Sequence, residues 1–122
     1  MSLGGIRRVP NTSDAGYARA APGANANILT VGLTPKMATG IWRISVVLAV
    51  ASVFNMTETD GTTAYTHGLN SSSALNAGDM YTFDVPHMGK PTSGTTFTYN
   101  FQVETDGIIR RLTVSELQDD AA

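Results

Sequence analysis

Few side chains in this sequence are suited to acid–base or metal chemistry. The chain contains two histidines, His67 and His87, and no cysteine. The histidines do not stand in an HxxxH or HExxH spacing, and no cysteine can complete a tetrahedral zinc site. His67 adjoins a Gly-Leu-Asn turn and His87 directly follows Pro86, which are loop positions. We therefore expect both histidines to be exposed or packed in loops rather than to act in catalysis or bind a metal.

The carboxylates stand out as two pairs, each within the tetrapeptide Glu-Thr-Asp-Gly. The pairs are Glu58 with Asp60 and Glu104 with Asp106. A calcium ion takes about six to eight oxygen ligands, and neither tetrapeptide lies in the dense run of Asp and Asn that supplies them. The pairs therefore predict turns, and we expect no catalytic residue, no cofactor and no metal in this chain.

The basic residues are too sparse for a nucleic-acid surface. The formal net charge is −2, and the basic doublets are Arg7-Arg8 and Arg110-Arg111. A doublet falls short of the several phosphate contacts that such a surface needs, so we expect neither a nucleic acid nor a membrane as partner. Strand alternation through Arg110 and Arg111 would point one of the two toward the apolar side of its strand.

Residues 1–27 are predicted to form an extended N-terminal arm. They are rich in Gly, Ala, Pro, Asn and Ser, and they show neither a helical nor a strand period of apolar residues. This segment contains three arginines, Arg7, Arg8 and Arg19, and one acidic residue, so its net charge is +2, whereas the net charge of the rest of the chain is −4. This asymmetry favours contact between the arm of one copy and the body of another. Arg7, Arg8 and Arg19 are therefore candidate partner-binding residues.

Residues 28–118 are predicted to form one domain of β-strands, followed by an acidic tail at 119–122. A short strand is expected at 28–33, and the strongest signal is the run 41–57. One face of that run carries large apolar side chains, namely Trp42, Ile44, Val46, Leu48 and Val50. Its β-branched content favours a strand over a helix. Because the run exceeds the usual strand length, we expect a bend or bulge near residues 49–52.

Two Asp-Gly pairs predict the tips of hairpins. Asp60-Gly61 would connect the long run to a strand at 62–67, and a further strand is expected at 80–85. Asp106-Gly107 would join an aromatic strand at 97–103 to a return strand at 108–117. Six or seven strands without a convincing helix predict an all-β fold, either an antiparallel β-sandwich or a jelly roll.

The composition favours packing against other protein. Only 15% of the residues are charged, whereas soluble domains typically carry about 25%. Mixed surface charge keeps monomers apart, so its shortage favours association. The longest apolar run, residues 44–54, is too short for a transmembrane helix, which needs about 20 residues. The N-terminus contains no apolar stretch of signal-peptide length.

The segment from Leu33 to Val46 reads Leu-Thr-Pro-Lys-Met-Ala-Thr-Gly-Ile-Trp-Arg-Ile-Ser-Val. It resembles a phrase found in small virion proteins of tailed bacteriophages, where it opens a β-sandwich. The segment from Leu75 to Phe83 and the turn at Asp106-Gly107 continue the likeness, which extends over residues 28–117. Such proteins are head decoration (cement) proteins, minor capsid proteins or fibre-tip domains, and they are often trimeric. The resemblance implies synthesis in the host cytoplasm, a place on the capsid surface and contact with a major capsid protein.

The leading hypothesis is therefore a non-enzymatic structural virion protein. It would be a capsid decoration or minor capsid protein that forms a homo-oligomer, with a trimer favoured, and binds the viral shell. The alternative is a carbohydrate- or receptor-binding module at a fibre or spike tip, in which aromatic rings stack on sugars. The candidate rings are Trp42, Tyr65, Tyr81 and Tyr99, of which Trp42 and Tyr99 fall on predicted core faces.

Overall fold

The chain folds into two antiparallel β-sheets, which confirms the predicted all-β class. A computed structural model describes residues 6–14, 22–89 and 96–119, with only the main chain described at 6–14, 118 and 119. The strands are β1 (Ile6–Asp14), β2 (Ile41–Leu48), β3 (Phe54–Thr59), β4 (Ala64–Gly68), β5 (Met80–Pro86), β6 (Thr98–Val103) and β7 (Ile109–Asp119). The first sheet has the order β1-β7-β2-β5, and the second has the order β4-β3-β6. A 3₁₀ turn, Leu69–Ser72, follows β4.

β2 supplies the centre of the first sheet, and its apolar face is the predicted one. Trp42, Ile44, Val46 and Leu48 are all buried. The strand ends at Leu48, so Val50 is 42% exposed instead of continuing that face. The predicted single run 41–57 is therefore wrong in one respect: the chain leaves the first sheet at residues 49–53 and enters the second at β3. The expected bend marks this crossing.

The two sheets share one hydrophobic core. Trp42 of β2 and Tyr99 of β6 meet edge to face across it, with their ring centroids 5.5 Å apart. Phe54 and Phe101, on neighbouring strands of the second sheet, stack with an interplanar angle of 3°. β7 adds Leu112 and other apolar residues on the alternate positions that face inward. Each sheet thus buries one face, as the two-residue period predicts.

The predicted hairpin at Asp60-Gly61 is present between β3 and β4. The carboxylate of Asp60 accepts hydrogen bonds from the backbone N–H groups of Thr62 and Thr63, at 2.8 and 2.7 Å. These bonds hold the pKa of Asp60 below its usual range. Gly61 has a φ of +91°, a conformation that glycine adopts without a steric penalty. Turn chemistry therefore explains Asp60.

The predicted hairpin at Asp106-Gly107 is wrong. β6 belongs to the second sheet and β7 to the first, so residues 104–108 cross between sheets. This crossing lies beside the one at 49–53, and Ser52 joins them. The Ser52 hydroxyl accepts the backbone N–H groups of Glu104 and Thr105, at 3.0 and 2.9 Å. Because the two crossings lie side by side, backbone N–H groups that have no partner in either sheet still find a hydrogen-bond acceptor.

The strand predicted at 28–33 is not formed. Residues 25–33 run beside β6 as irregular chain, with one isolated bridge between Leu33 and Tyr99. The side chain of Asn100 explains the irregularity, because it bonds both backbone groups of Leu29 at 3.0 Å. A side chain that takes over these groups replaces a regular ladder.

Part of the predicted N-terminal arm is strand β1, which pairs antiparallel with β7 at the edge of the first sheet. Residues 1–5 and 15–21 lie outside the described residues, as do residues 120–122 of the predicted tail, whose first residue, Asp119, ends β7. The role of residues 1–27 as an arm that reaches a neighbouring subunit stays a prediction.

Within the described part of the chain, no helix has the length and apolar character needed to cross a membrane.

Candidate functional site

The side chains of the three candidate arginines lie outside the described part of the structure. Arg7 and Arg8 lie on β1, opposite Gln118 and Leu117 of β7, and only their main chain is described. Arg19 lies outside the described residues. Their assignment to partner binding therefore stays a prediction.

The other basic doublet, Arg110 and Arg111, is exposed at both residues. The prediction that one of them faces the apolar side is wrong, because β7 contains a bulge at this point. Opposite β2, the register passes from Arg111, which faces Val47, directly to Ile109, which faces Leu48. The extra residue in a bulge interrupts strict alternation, and here it keeps both guanidinium groups out of the core.

A fully buried carboxylate, Glu116 on β7, is the feature that the sequence search missed. It accepts hydrogen bonds from the backbone N–H groups of Lys36 and Met37 at 3.0 to 3.1 Å. The strand period offered a signal, since Leu112, Val114 and Glu116 all fall on the inward face. An acid on that phase requires hydrogen-bond donors inside the protein. Glu116 thus fixes the loop that leads into β2.

The imidazole of His87 lies against this carboxylate, and both side chains are inaccessible to solvent. His87 Nε2 is 2.8 Å from Glu116 Oε2, although the ring N–H lies off the line of a well-aligned hydrogen bond. The backbone N–H of Gly89 donates to His87 Nδ1 at 2.9 Å. Nδ1 thus acts as the acceptor of this hydrogen bond.

An open groove of about 400 Å³ lies above His87. It is lined by residues 38–41 and 86–88. A general base needs a free nitrogen within hydrogen-bond reach of its substrate, but both ring nitrogens of His87 face groups of the protein itself. The pair of His87 and Glu116 therefore serves to hold the loops at 34–40 and 87–89 together, and it offers no nitrogen to a molecule in the groove.

A second polar network joins the same loop to the β3–β4 hairpin through Tyr99. The Tyr99 hydroxyl donates to Glu58 Oε2 at 2.6 Å and accepts the backbone N–H of Met88 at 2.7 Å. Burial, reinforced by the neighbouring carboxylate, raises the pKa of Tyr99 well above its usual range. The other oxygen of Glu58 lies 3.2 Å from Nε2 of His67, whose side chain is half exposed on β4. Glu58 is therefore also structural, and His67 is a strand residue rather than a loop residue.

Two of the four candidate sugar-stacking rings lie in the core. Trp42 and Tyr99 are completely buried in the core, as their alternation indicated. Tyr65 is 51% exposed on β4, while Tyr81 packs against the core from β5. Two rings of the four are thus unable to stack on a ligand at the surface.

The outer edge of β5 combines unpaired backbone groups with partly exposed apolar side chains. Within the described residues β5 pairs with β2 alone, so its other edge carries unpaired backbone groups. Three apolar side chains on its inner face, Tyr81, Phe83 and Val85, are only partly buried against the core. Met80, at the start of the strand, is 62% exposed.

No protein-family model, curated protein or solved structure matches this chain. Function must therefore be argued from the site alone. Across the described residues no three His, Asp or Glu side chains are placed to share a metal ion. The buried polar groups that the structure brings together bind loops to sheets, and among the described strands the outer edge of β5 is unpaired and flanked by partly exposed apolar side chains.

Proposed function

We propose that this chain is a structural virion protein, a capsid decoration (cement) or minor capsid protein that binds the viral shell and copies of itself. The observation that carries the proposal is the open edge of β5. An unpaired edge flanked by apolar side chains is a template for pairing with another chain, and free monomers usually block it with lysine, proline or a bulge. β5 has no lysine and its single proline is its last residue, Pro86.

The architecture suits this role. We interpret the two sheets on one core as a β-sandwich, a rigid body that needs no cofactor to hold its shape. The segment that resembles phage virion proteins comprises the loop bound by Glu116 and the central strand β2. The part of the chain that carries the resemblance thus includes the loop that Glu116 holds.

Attachment to a shell would gain from repetition. Many copies held side by side turn weak contacts into strong overall binding, so each copy needs only modest complementarity. The low content of charged residues favours such contacts. Arg7, Arg8 and Arg19 would contribute from the N-terminal segment, where they form the basic part of an otherwise acidic chain.

The direct test uses the phage particles whose genome encodes this chain. Mass spectrometry of purified particles is expected to detect the chain in the capsid, and recombinant chain is expected to sediment with particles from which it has been stripped. A variant with Arg7, Arg8 and Arg19 all changed to Gln should sediment less, especially at low salt, where charge interactions are strongest. A chain that is absent from particles and does not sediment with them would contradict the virion role.

A further inference from the structure

The direction of the unpaired groups on β5 follows from its hydrogen bonds to β2. The backbone N–H of His87 donates to the carbonyl of Gly40 at 3.2 Å, in line with the register of the two strands. Hydrogen-bonded pairs alternate with non-bonded pairs along an antiparallel ladder. Counting back from His87, the backbone groups of Thr82 and Asp84 therefore point away from β2 and toward the open edge.

The inner face of β5 packs on the core but is only partly covered by it. Tyr81, Phe83 and Val85 point inward, and each retains solvent-accessible surface. The rings of Tyr81 and Phe83 lie parallel within 4°, with centroids 6.3 Å apart. A further strand on this edge would cover all three side chains, and burying apolar area drives association.

The outer face of β5 carries one charge, and that charge is neutralised by an ion pair. Its acidic residue, Asp84, forms a bidentate ion pair with Arg43 of β2, in which both N–O distances are 2.8 Å. This guanidinium holds the pKa of Asp84 below its usual range. Thr82, the neighbour of Asp84 on the same face, carries a hydroxyl 3.3 Å from that of Ser45. No unbalanced charge on this face opposes a second strand.

We propose that β5 pairs antiparallel with β5 of a second copy, around a two-fold axis at Phe83. This inference rests on the self-assembly in the proposed function. All seven residues of β5 then pair, because the strand is self-complementary about its centre. Tyr81 lies opposite Val85 of the second copy, and Phe83 lies opposite Phe83. Aromatic pairs and aromatic pairs with β-branched residues are favourable across strands.

The polar face of the paired strands is complementary in hydrogen-bonding groups. Thr82 lies opposite Asp84 of the second copy, so a hydroxyl donor meets a carboxylate and no two like charges are directly opposed. Thr82 and Asp84 are also the residues whose backbone groups point outward, and they would exchange two hydrogen bonds at each of two symmetric positions. Pro86 has no N–H and would end the ladder at either side. The result is one continuous eight-stranded sheet with a self-complementary interface.

Cysteine cross-linking tests the register directly, because the chain has no cysteine of its own. In the proposed pairing, residue 83 forms a non-hydrogen-bonded pair with its copy, with Cα atoms about 4.5 Å apart, within the range of a disulfide. Phe83→Cys is therefore expected to form a covalent dimer under mild oxidation. Thr82→Cys is the matched control: its two copies would be about 8 Å apart, from a rise of ~3.4 Å per residue and a strand spacing of ~4.8 Å, too far for a disulfide.

A proline at position 82 tests the edge without a new thiol. Thr82→Pro removes an N–H that points away from β2, so the internal ladder keeps its hydrogen bonds, whereas the added strand loses two. Thr82→Val loses the same hydroxyl but keeps the N–H, which makes it the control. Light scattering should give twice the chain mass of 12.9 kDa for the natural chain and Thr82→Val, and the single-chain mass for Thr82→Pro. Tryptophan fluorescence should show Thr82→Pro to be folded.

The outcomes separate this inference from the proposed function. An oligomer that survives Thr82→Pro, together with cross-linking of Thr82→Cys instead of Phe83→Cys, would overturn the β5 pairing and leave self-assembly intact. A trimer, which the phage resemblance favours, would require a head-to-tail contact and would also overturn the two-fold pairing. A monomer at every concentration would overturn self-association itself.

Discussion

The buried carboxylate of Glu116 should be the most sensitive single position in the chain. Glu116→Ala removes the acceptor of the Lys36 and Met37 backbone N–H groups and the neighbour of His87 Nε2. Glu116→Gln keeps the volume of the side chain but places an NH₂ group where one of its two acceptor oxygens stood. Both oxygens face N–H donors, so at least one buried donor then meets another donor.

The magnitudes follow from these contacts. Glu116→Ala leaves the backbone N–H groups of Lys36 and Met37 without their acceptor. At about 1–3 kcal/mol for each donor, we expect it to lower the free energy of unfolding by about 2–6 kcal/mol. Leaving one buried donor without an acceptor costs about 1–3 kcal/mol, which is the expectation for Glu116→Gln. Asp106→Asn removes the same formal charge from an exposed residue, and it should change stability by less than about 0.5 kcal/mol.

Urea denaturation followed by tryptophan fluorescence measures these differences. Trp42 is the only tryptophan, and its ring centroid lies 5.1 Å from that of His87, so its emission reports on this region of the core. With a slope of about 2 kcal/mol per molar urea, a loss of about 4 kcal/mol lowers the midpoint by about 2 M. If Glu116→Gln and Asp106→Asn unfolded at the same urea concentration, the argument that the Glu116 carboxylate secures the loop would be refuted.

Three further perturbations test other parts of the fold. Gly89→Ala should lower the melting temperature by about 4 °C or more. Gly89 has a φ of +86°, a left-handed conformation that costs other residues about 1–2 kcal/mol, and the Cβ of an alanine there would collide with the carbonyl oxygen of Ala38. An unchanged melting temperature would contradict this account. Tyr99→Phe should lower the free energy of unfolding, measured in urea, by about 1–3 kcal/mol, because the Glu58 carboxylate and the backbone N–H of Met88 lose their hydrogen-bond partner. Tyr65→Phe changes an exposed ring and should have no effect. The pKa of Asp60 is lowered in the folded chain, so its contribution to stability is complete above the ordinary value near 3.9 and is lost as the pH falls through the lower folded value. Asp60→Asn should therefore lose less stability than the natural chain on acidification below about pH 4. If the two chains lost stability equally between pH 4 and lower pH, the hydrogen bonds from Thr62 and Thr63 would not favour the charged carboxylate.

The alternation of apolar residues predicted the strand faces well because burial of one sheet face leaves a direct two-residue period. The inward residues of β2 and the aromatic residues of β6 follow from it. The same pattern could not predict the partner of each strand. An Asp-Gly pair favours a tight reversal at both turns, but at residues 104–108 the chain crosses to the other sheet, because the pairing of β7 with β1 and β2 decides its position.

The buried polar groups were harder to find for a physical reason. Glu116 lies on the inward phase of β7, so its burial could be predicted from the period. Its partners could not, since they are backbone N–H groups of a loop about 80 residues away in sequence. The bulge at Arg110 has no marker in the sequence either, because any residue pair can occupy one. Backbone groups carry no residue-type signature, and they supply most of what holds this site.

The pairing of β1 with β7 has a practical consequence for anyone who wishes to build on this protein. Ile6 of β1 lies opposite Asp119 of β7, so the two ends of the described chain emerge side by side. In the sheet order, β1 lies three strand spacings, or about 14 Å, from β5, and β7 lies two spacings, or about 10 Å, from it. A short linker between these ends would turn the edge of the first sheet into a hairpin, and new ends opened in the turn at Asp60-Gly61 would give a circular permutant. A peptide or fluorescent protein joined at Ile6 would leave the edge of β5 free, because β1 is the strand farthest from β5 in the first sheet.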